Sequence, residues 1–501
     1  MTKGNVLLIT IDQLRADIID GALAEFVPLP NLRRLQAESA SFANHFTVTV
    51  PCGPARASLL TGMYAMNHRA IRNGTPLARH HATIATEARK AGYEPLLFGY
   101  SDSTADPTDL DPNDPVLASY EGVAPGFREL VEMRLESGLE WPAFLKARDY
   151  ALPGPNSDRL MDLYKPVSSG GRAPAINDPA LYSAADSDTA YLTDRTLEAL
   201  DIRRHKPWFA HLTYIRPHPP LVAPAPYHRL VDPDRIAAPQ AAAPDHVFLD
   251  AWRSDPSNGG LFWDFSGDCS SLSKRQIAEL RAIYLGLVAE VDFHIGRVLD
   301  WLDETGQRDD TLVIVTADHG EMLGDKGQWG KETVFDPAYQ VPLIVRNPRQ
   351  RQQSKVPASA LTESVDVAPT ILDWIGLPVP AAMDGQSLLP LMAGDVVGAR
   401  DAAFAEIDLS HPVRPTRFQK FWNLGELRCN AAILRELRWK YVHFNGGVPS
   451  MLFDLEADPH EATDLARDPK WAGDVSRLAR KMLDLRMTRA DRRLTGHSFG
   501  A

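Results

Sequence analysis

Cysteine is scarce in this chain. Cys52, Cys269 and Cys429 are its three thiols in 501 residues, too few and too scattered for a disulfide-stapled scaffold. Positive charge is also in deficit: 53 Lys and Arg against 65 Asp and Glu give a net charge of −12. Such a balance excludes a nucleic-acid binder, because nothing offsets repulsion from a phosphate backbone. No uncharged apolar run approaches the length of a membrane span. Met1-Thr2-Lys3-Gly4-Asn5 leads straight into an apolar strand, with no apolar leader ahead of it. Together these absences predict a cytoplasmic, reducing location, with neither membrane nor nucleic acid as partner.

What is present is ordinary bulk with unusual punctuation. A chain of this length buries a substantial core and divides into more than one unit. Its most informative stretch is Thr49-Val50-Pro51-Cys52-Gly53-Pro54-Ala55-Arg56-Ala57-Ser58-Leu59-Leu60-Thr61-Gly62. Pro54 suits a first helical turn and Gly62 the position past a helix end, so Cys52 is predicted at a helix N-terminus. Free N–H groups and the positive dipole end favour an anion there. Arg56, one turn on, adds a permanent charge on the same side.

Several apolar runs end in polar residues. Val6-Leu7-Leu8-Ile9-Thr10-Ile11 reads as a central parallel strand covered on both faces, and it ends in Asp12-Gln13. Open α/β sheets place their sites at such C-terminal ends. Ser41 to Thr47 reads as the strand that delivers the Cys52 loop. Glu94 to Phe98 opens into Gly99-Tyr100-Ser101-Asp102-Ser103, and Trp208 to Tyr214 into Ile215-Arg216-Pro217-His218-Pro219-Pro220. Prolines on both sides of His218 hold the backbone extended and restrict the imidazole. Thr311 to Thr316 leads into Ala317-Asp318-His319-Gly320, where Gly320 gives the freedom to turn two adjacent ligands to one point. Five strands ending at 12, 52, 100, 218 and 318–319 are predicted to share one rim. Residues 105–180 and 222–275, rich in Pro, Asp and Gly, read as long surface excursions that shape access. Past residue 396 short strands and a final helix from about Asp474 to Ala490 take over; Asp491 to Ala501 is expected to dock on a partner subunit.

Cys-x-Pro-x-Arg followed by Ala-Ser-Leu-Leu-Thr-Gly resembles the signature of type I sulfatases in the alkaline-phosphatase superfamily. Asp12-Gln13, Tyr214 to Pro220, Asp318-His319-Gly320 and Gly330-Lys331 extend the likeness over nearly the whole chain, closest to the branch of phosphonate monoester hydrolases and their arylsulfatase relatives. The resemblance implies an α/β fold: a large, mostly parallel sheet flanked by helices (residues 1–395), then a smaller C-terminal α+β domain with a short antiparallel sheet (396–501). It implies oxidation of Cys52 to formylglycine, whose hydrated aldehyde attacks sulfur or phosphorus, and one divalent ion held by Asp12, Asp318, His319 and modified Cys52, with Gln13 an extra ligand. That mostly oxygen shell suits calcium or manganese. Arg56 and Lys331 would offset charge on the transferred group. His218 or Lys331 would move the leaving-group proton. Asn73, before Gly74, and Tyr100 would stand near the nucleophile.

The expected function is hydrolysis of small anionic sulfate monoesters, with phosphonate monoester or phosphodiester hydrolysis at the same site as the alternative. The extra carboxylate at Asp102 tilts the ranking towards sulfate. The expected partners are a formylglycine-generating enzyme and further copies of the chain, as dimer or tetramer. A tyrosine-phosphatase loop is excluded, since it needs five residues between Cys and Arg and this chain has three. A Ser or Thr nucleophile is disfavoured by Cys52 at the corner. A non-catalytic binding protein would keep Cys52 unconverted. Peptide mass spectrometry separates these: conversion at Cys52 removes roughly 18 Da, through oxidation and loss of sulfur, and an unshifted peptide means an unconverted chain.

Overall fold

The computed structural model describes residues 4–136, 138–153, 160–168, 171–241, 243–244, 246–350, 356–395 and 400–491. Its strands are β1 (Asn5–Ile11), β2 (Ala40–Ser41), β3 (Asn44–Phe46), β4 (Pro95–Gly99), β5 (Arg128–Glu132), β6 (Phe209–Tyr214) and β7 (Thr311–Thr316). They continue with β8 (Leu343–Arg346), β9 (Leu361–Glu363), β10 (Ala403–Asp408), β11 (Asn430–Arg435), β12 (Trp439–Phe444) and β13 (Met451–Asp454). One seven-stranded sheet runs β2-β8-β7-β1-β6-β4-β5. Its β7-β1-β6-β4-β5 part is parallel, and β8 and β2 close one edge antiparallel.

The apolar run of β1 is continuous because both of its faces are covered. Leu7, Ile9 and Ile11 pack towards Leu285, Val288 and Val291 of the long helix Lys274–Glu304. Val6 and Leu8 join Leu59 and Leu60 of helix Cys52–Thr61 on the opposite side. In register, Ile11 lies beside Tyr214 and Thr10 beside Thr316. The residues that follow, Asp12, Ile215 and Ala317-Asp318, therefore leave the sheet at one edge.

The four antiparallel strands β10–β13, with helix Ala472–Arg489, form the expected smaller sheet. It is bound into the rest of the chain. Phe46 and Val50 share a core with Phe248, Phe335, Phe418, Ile433 and Phe453, and Glu406 N–H donates to Val48 O at 2.9 Å. Lys440, fully buried, pairs with Asp336 at 2.6 Å and with Glu461. The expected boundary at 396 and all of the terminal segment beyond Asp491 lie outside the described residues. No helix among the described residues is long and apolar enough to cross a membrane.

Three expectations need correction. Ser41 to Thr47 is not one strand, since β2 pairs with β8 while β3 pairs with β9 in a separate two-stranded ladder. Phe42 and Phe46 would lie on one face of a continuous strand, yet they fill different cores, so the chain turns between them. Cys52 accordingly stands on a helix N-terminus, and four strands of the main sheet, not five, supply the rim. The excursions are also more than surface. Residues 105–180 contribute β5 as an edge strand and bury Trp141, Leu145 and Tyr164, while helix Val247–Ser254 buries Phe248 and Trp252. The charged ends of Arg128-Glu129-Leu130-Val131-Glu132 suit a solvent-facing edge and hide its alternation.

Lys440→Met tests the seam. Leaving Glu461 and Asp336 without their ammonium should cost about 3–5 kcal/mol, read as a lower urea midpoint, and Glu461→Gln in the same chain should recover part of the loss.

Candidate active site

Helix Cys52–Thr61 begins as its sequence requires: Pro51 in extended backbone precedes it, and Gly62 ends it with φ 66°. Cys52 is its first residue and points into a buried group with Asp12, Asp318 and His319. One ligand atom from each of these four lies within 4.8 Å of the others. Cys52 Sγ is 3.1 Å from His319 Nε2, and that nitrogen lies 3.8 Å from Asp12 Oδ1 and 3.7 Å from Asp318 Oδ2.

The donor set fits a divalent cation. His319 Nδ1 faces Gly320 O at 3.0 Å, so Nδ1 carries the proton and the Nε2 lone pair faces the group. Burial lowers the His319 pKa and keeps the ring neutral. Asp12 Oδ1 is buried with no hydrogen-bond partner, a costly state for a carboxylate oxygen that a bound cation relieves. Asp318 Oδ1 accepts from the N–H groups of Gln13 (3.1 Å) and His319 (2.9 Å).

Arg56 lies beneath the carboxylates. Its Nη2 donates to Asp12 Oδ2 at 3.1 Å and its Nε to Asp318 Oδ2 at 2.9 Å. Its Nη1 donates to Tyr100 O at 3.1 Å and Thr213 Oγ1 at 2.8 Å. The side chain is fully buried, 4.1 Å from the Tyr100 ring centroid. The expected charge on the transferred group is thus given to the ligand carboxylates, and Arg56 is a positioning residue. Tyr100 also donates its hydroxyl to Asp12 Oδ2; burial raises its pKa and keeps the donor protonated.

On the outer side Lys331 Nζ donates to Gln13 Oε1 at 2.8 Å and lies 3.2 Å from His218 Nε2. His218 Nδ1 faces Pro219 O at 2.6 Å, which makes Nδ1 the protonated nitrogen and Nε2 the acceptor. Burial, then the Lys331 charge, pushes the His218 pKa down to about 3. For Lys331 burial acts to lower the pKa, but the carboxylates of Asp12, Asp318 and Glu321 outweigh it and the ammonium is held charged. Gln13 stands at the same rim, with its carbonyl oxygen engaged by Lys331. Asn73 Oδ1 accepts from Gly53 N–H at 2.9 Å, directly after Cys52. The structure thus brings every predicted site residue together, with Asn73 at the outer, exposed end.

Cys52 itself is a poor nucleophile. Burial, reinforced by Asp12, raises its pKa well above the ordinary value. The helix N-terminus, expected to favour an anion, is overruled by the neighbouring carboxylates, and the thiol stays protonated.

Sequence reading missed three supporting residues. Glu321 accepts from Gln13 Nε2 and, at 2.9 and 2.6 Å, from the N–H groups of Leu323 and Gly330. It ties Gln13 to the Lys331 loop and holds Gln13 at φ 67°, a left-handed conformation uncommon for a side-chain-bearing residue. Thr213 anchors Arg56. Buried Arg216 donates to the carbonyls of His218 (2.8 Å) and Pro220 (3.0 Å) and lies 3.4 Å from Asp188. Glu321 directly follows Asp318-His319-Gly320, the one signal that marked it.

A model described as Sulfatase matches residues 4–377. The chain belongs to the sulfatase family. A second, N-sulphoglucosamine sulphohydrolase, C-terminal, matches residues 324–488. Phosphonate monoester hydrolase SpPMH from Silicibacter pomeroyi is 48% identical, with 98% of this chain and 97% of that one covered and a TM-score of 0.92. Phosphonate monoester hydrolase of Agrobacterium radiobacter is 36% identical at the same coverage, with a TM-score of 0.89. The multifunctional alkaline phosphatase superfamily protein PehA of Trinickia caryophylli is 39% identical over 99% of this chain and 97% of its own. The sulfatase-family chain is therefore an enzyme of the sulfatase and phosphonate monoester hydrolase branch, with the alkaline-phosphatase-like fold, and a hydrolase of sulfate or phosphonate esters. The family implies a divalent metal and a formylglycine, and the group around Cys52 suits both.

Tyr100→Phe probes the shell around the ligands. Loss of the hydroxyl on Asp12 should weaken metal affinity about 10- to 100-fold, read by metal titration of the purified chain; unchanged affinity would deny Asp12 its ligand role.

Proposed function

We propose that the chain hydrolyses phosphonate monoesters in preference to sulfate monoesters, reversing the order expected from sequence. The expectation turned on Asp102 as an extra charge beside an anionic substrate. In the structure its side chain is 5% exposed and lies 3.9 Å from Arg56 Nε. Burial raises its pKa against the opposing pull of Arg56, and the carboxyl faces that cation, so it adds little repulsion towards an anionic substrate. With that objection removed, the two phosphonate monoester hydrolases similar over almost the whole chain support the phosphonate reading.

Asp12, Asp318, His319 and the modified residue 52 would hold the ion, calcium or manganese. When bound, the metal and the formylglycine supply the activated oxygen nucleophile and neutralise substrate oxygens. The chain's own residues do the rest. Arg56 bonds both carboxylates and keeps them aligned. Asn73 fixes the backbone after residue 52. Lys331 carries a proton that it gives to the leaving oxygen, and His218 Nε2, a neutral acceptor, receives the proton that must be removed to release product. Gln13 orients the Lys331 ammonium. The expected homo-oligomer and Cys52-converting enzyme belong to the same reading.

The kinetic test is kcat/KM on nitrophenyl phenylphosphonate against nitrophenyl sulfate. The expected ratio favours phosphonate by about tenfold or more, 1.4 kcal/mol in barrier; a preference for sulfate restores the original order. Lys331→Ala should lower kcat about 10²- to 10⁴-fold for poor leaving groups and distinctly less for nitrophenol, which departs without a proton. Equal losses on both would remove Lys331 as the acid.

A further inference from the structure

Beside the nucleophile the structure opens a cavity of about 330 Å³. Pro51, Asn73 and Lys331 form its inner wall, so it adjoins the residue assigned above to the leaving oxygen. Its far wall comes from distant sequence: Phe248 and Trp252 of helix Val247–Ser254, and Phe418 of helix Arg417–Trp422. These rings are set by packing and are not loosely exposed. Phe248 and Phe418 have centroids 5.8 Å apart, and the three side chains are 3–7% exposed. The volume sits at the small end of organic-ligand pockets, roughly 300–1,000 Å³, and suits one substituted aromatic ring.

The charges on the walls are unequally paired. Arg72 is neutralised by Asp408 at 3.2 Å and Glu426 at 2.9 Å, with Ser410 Oγ at 2.8 Å. Lys331 is engaged by Gln13 and His218. Arg417 differs. Its guanidinium lies 3.9 Å over the Trp252 ring and its Nη2 donates to Ser257 O at 2.7 Å, but its Nη1 is buried without a hydrogen-bond partner. Among the described residues no carboxylate reaches it within ion-pair distance; Asp255 and Glu332 act on it only from further away. Arg417 is thus a cation on the cavity wall that no carboxylate neutralises, and an anionic ligand group in the cavity would pair with it.

We infer that this cavity receives the leaving-group half of the ester as an aromatic ring bearing an anionic substituent, the ring among Phe248, Trp252 and Phe418 and the substituent on Arg417. The substrate class is then a carboxyaryl ester, and its product a hydroxybenzoate-like phenol. This assignment of the leaving group rests on the hydrolase reading above, but its test reads binding and not turnover.

Calorimetric titration of the full chain with phenol and with 4-hydroxybenzoate should show the carboxylated phenol bound about tenfold tighter, the order of one charge-assisted hydrogen bond. In Arg417→Gln the two should come within about twofold of each other. In Phe418→Ala both should weaken. The comparison in the unmodified chain decides without any variant: equal affinity for the two phenols, no saturable binding of either, or acetate bound as tightly as 4-hydroxybenzoate overturns the inference. Turnover of nitrophenyl phenylphosphonate by the same preparation, measured alongside, separates failure of this pocket from failure of the hydrolase reading.

Discussion

A fully buried guanidinium between two carboxylates sets the rest of this structure. Asp12 and Asp318 leave adjacent parallel strands at one edge of the sheet, and two such groups brought together out of water would drive one of them to take up a proton. Arg56 bonds an oxygen of each, so its charge offsets theirs and their other oxygens are oriented. The arrangement fixes relative positions as well as charge: the ends of β1 and β7 and the first turn of the Cys52 helix are joined through one side chain. Taking away the cation would leave two buried anions facing each other, a far larger loss than the hydrogen bonds alone.

Around that centre proton traffic is separated by tautomer and by charge. Each site histidine gives its Nδ1 proton to a backbone carbonyl, of Gly320 or of Pro219, so each offers Nε2 as a lone pair. One lone pair faces the ligand group and the other faces an ammonium. Glu321 and Arg216, neither in the ligand group, hold the two loops in which this occurs. The left-handed backbone at Gln13 shows that the site is over-determined, since several bonds converge to hold one strained residue.

Much of this was legible in the sequence because its signals are local. A strand's apolar run, the polar residues just past it, and a helix start marked by Pro54 and Gly62 are read over fewer than fifteen residues. Those signals located Asp12, Cys52, Tyr100, His218, Asp318 and His319, and the parallel sheet beneath them. What was not legible depends on distance. Nothing near Phe42 says that it and Phe46 belong to different cores. Nothing near Arg56 says that its charge is spent on carboxylates 44 and 262 positions away. Asp102 misled for the same reason: in sequence it is a bare carboxylate after a strand, and only folding sets it beside Arg56 and out of water. The 105–180 and 222–275 segments gave only weak periodicity, since β5 is a short edge strand and the helix at 247 is about two turns long.

The smaller sheet carries none of the reacting groups, yet its core is continuous with the approach to Cys52. Phe46 and Val50 are packed among its residues, and Val48 and Thr49 lie alongside Glu406 at the edge of β10. A chain shortened at residue 395 would therefore retain all of its chemical side chains and still lose the support that aims position 52. The minimal working unit is set by mechanical bracing and not by the catalytic inventory.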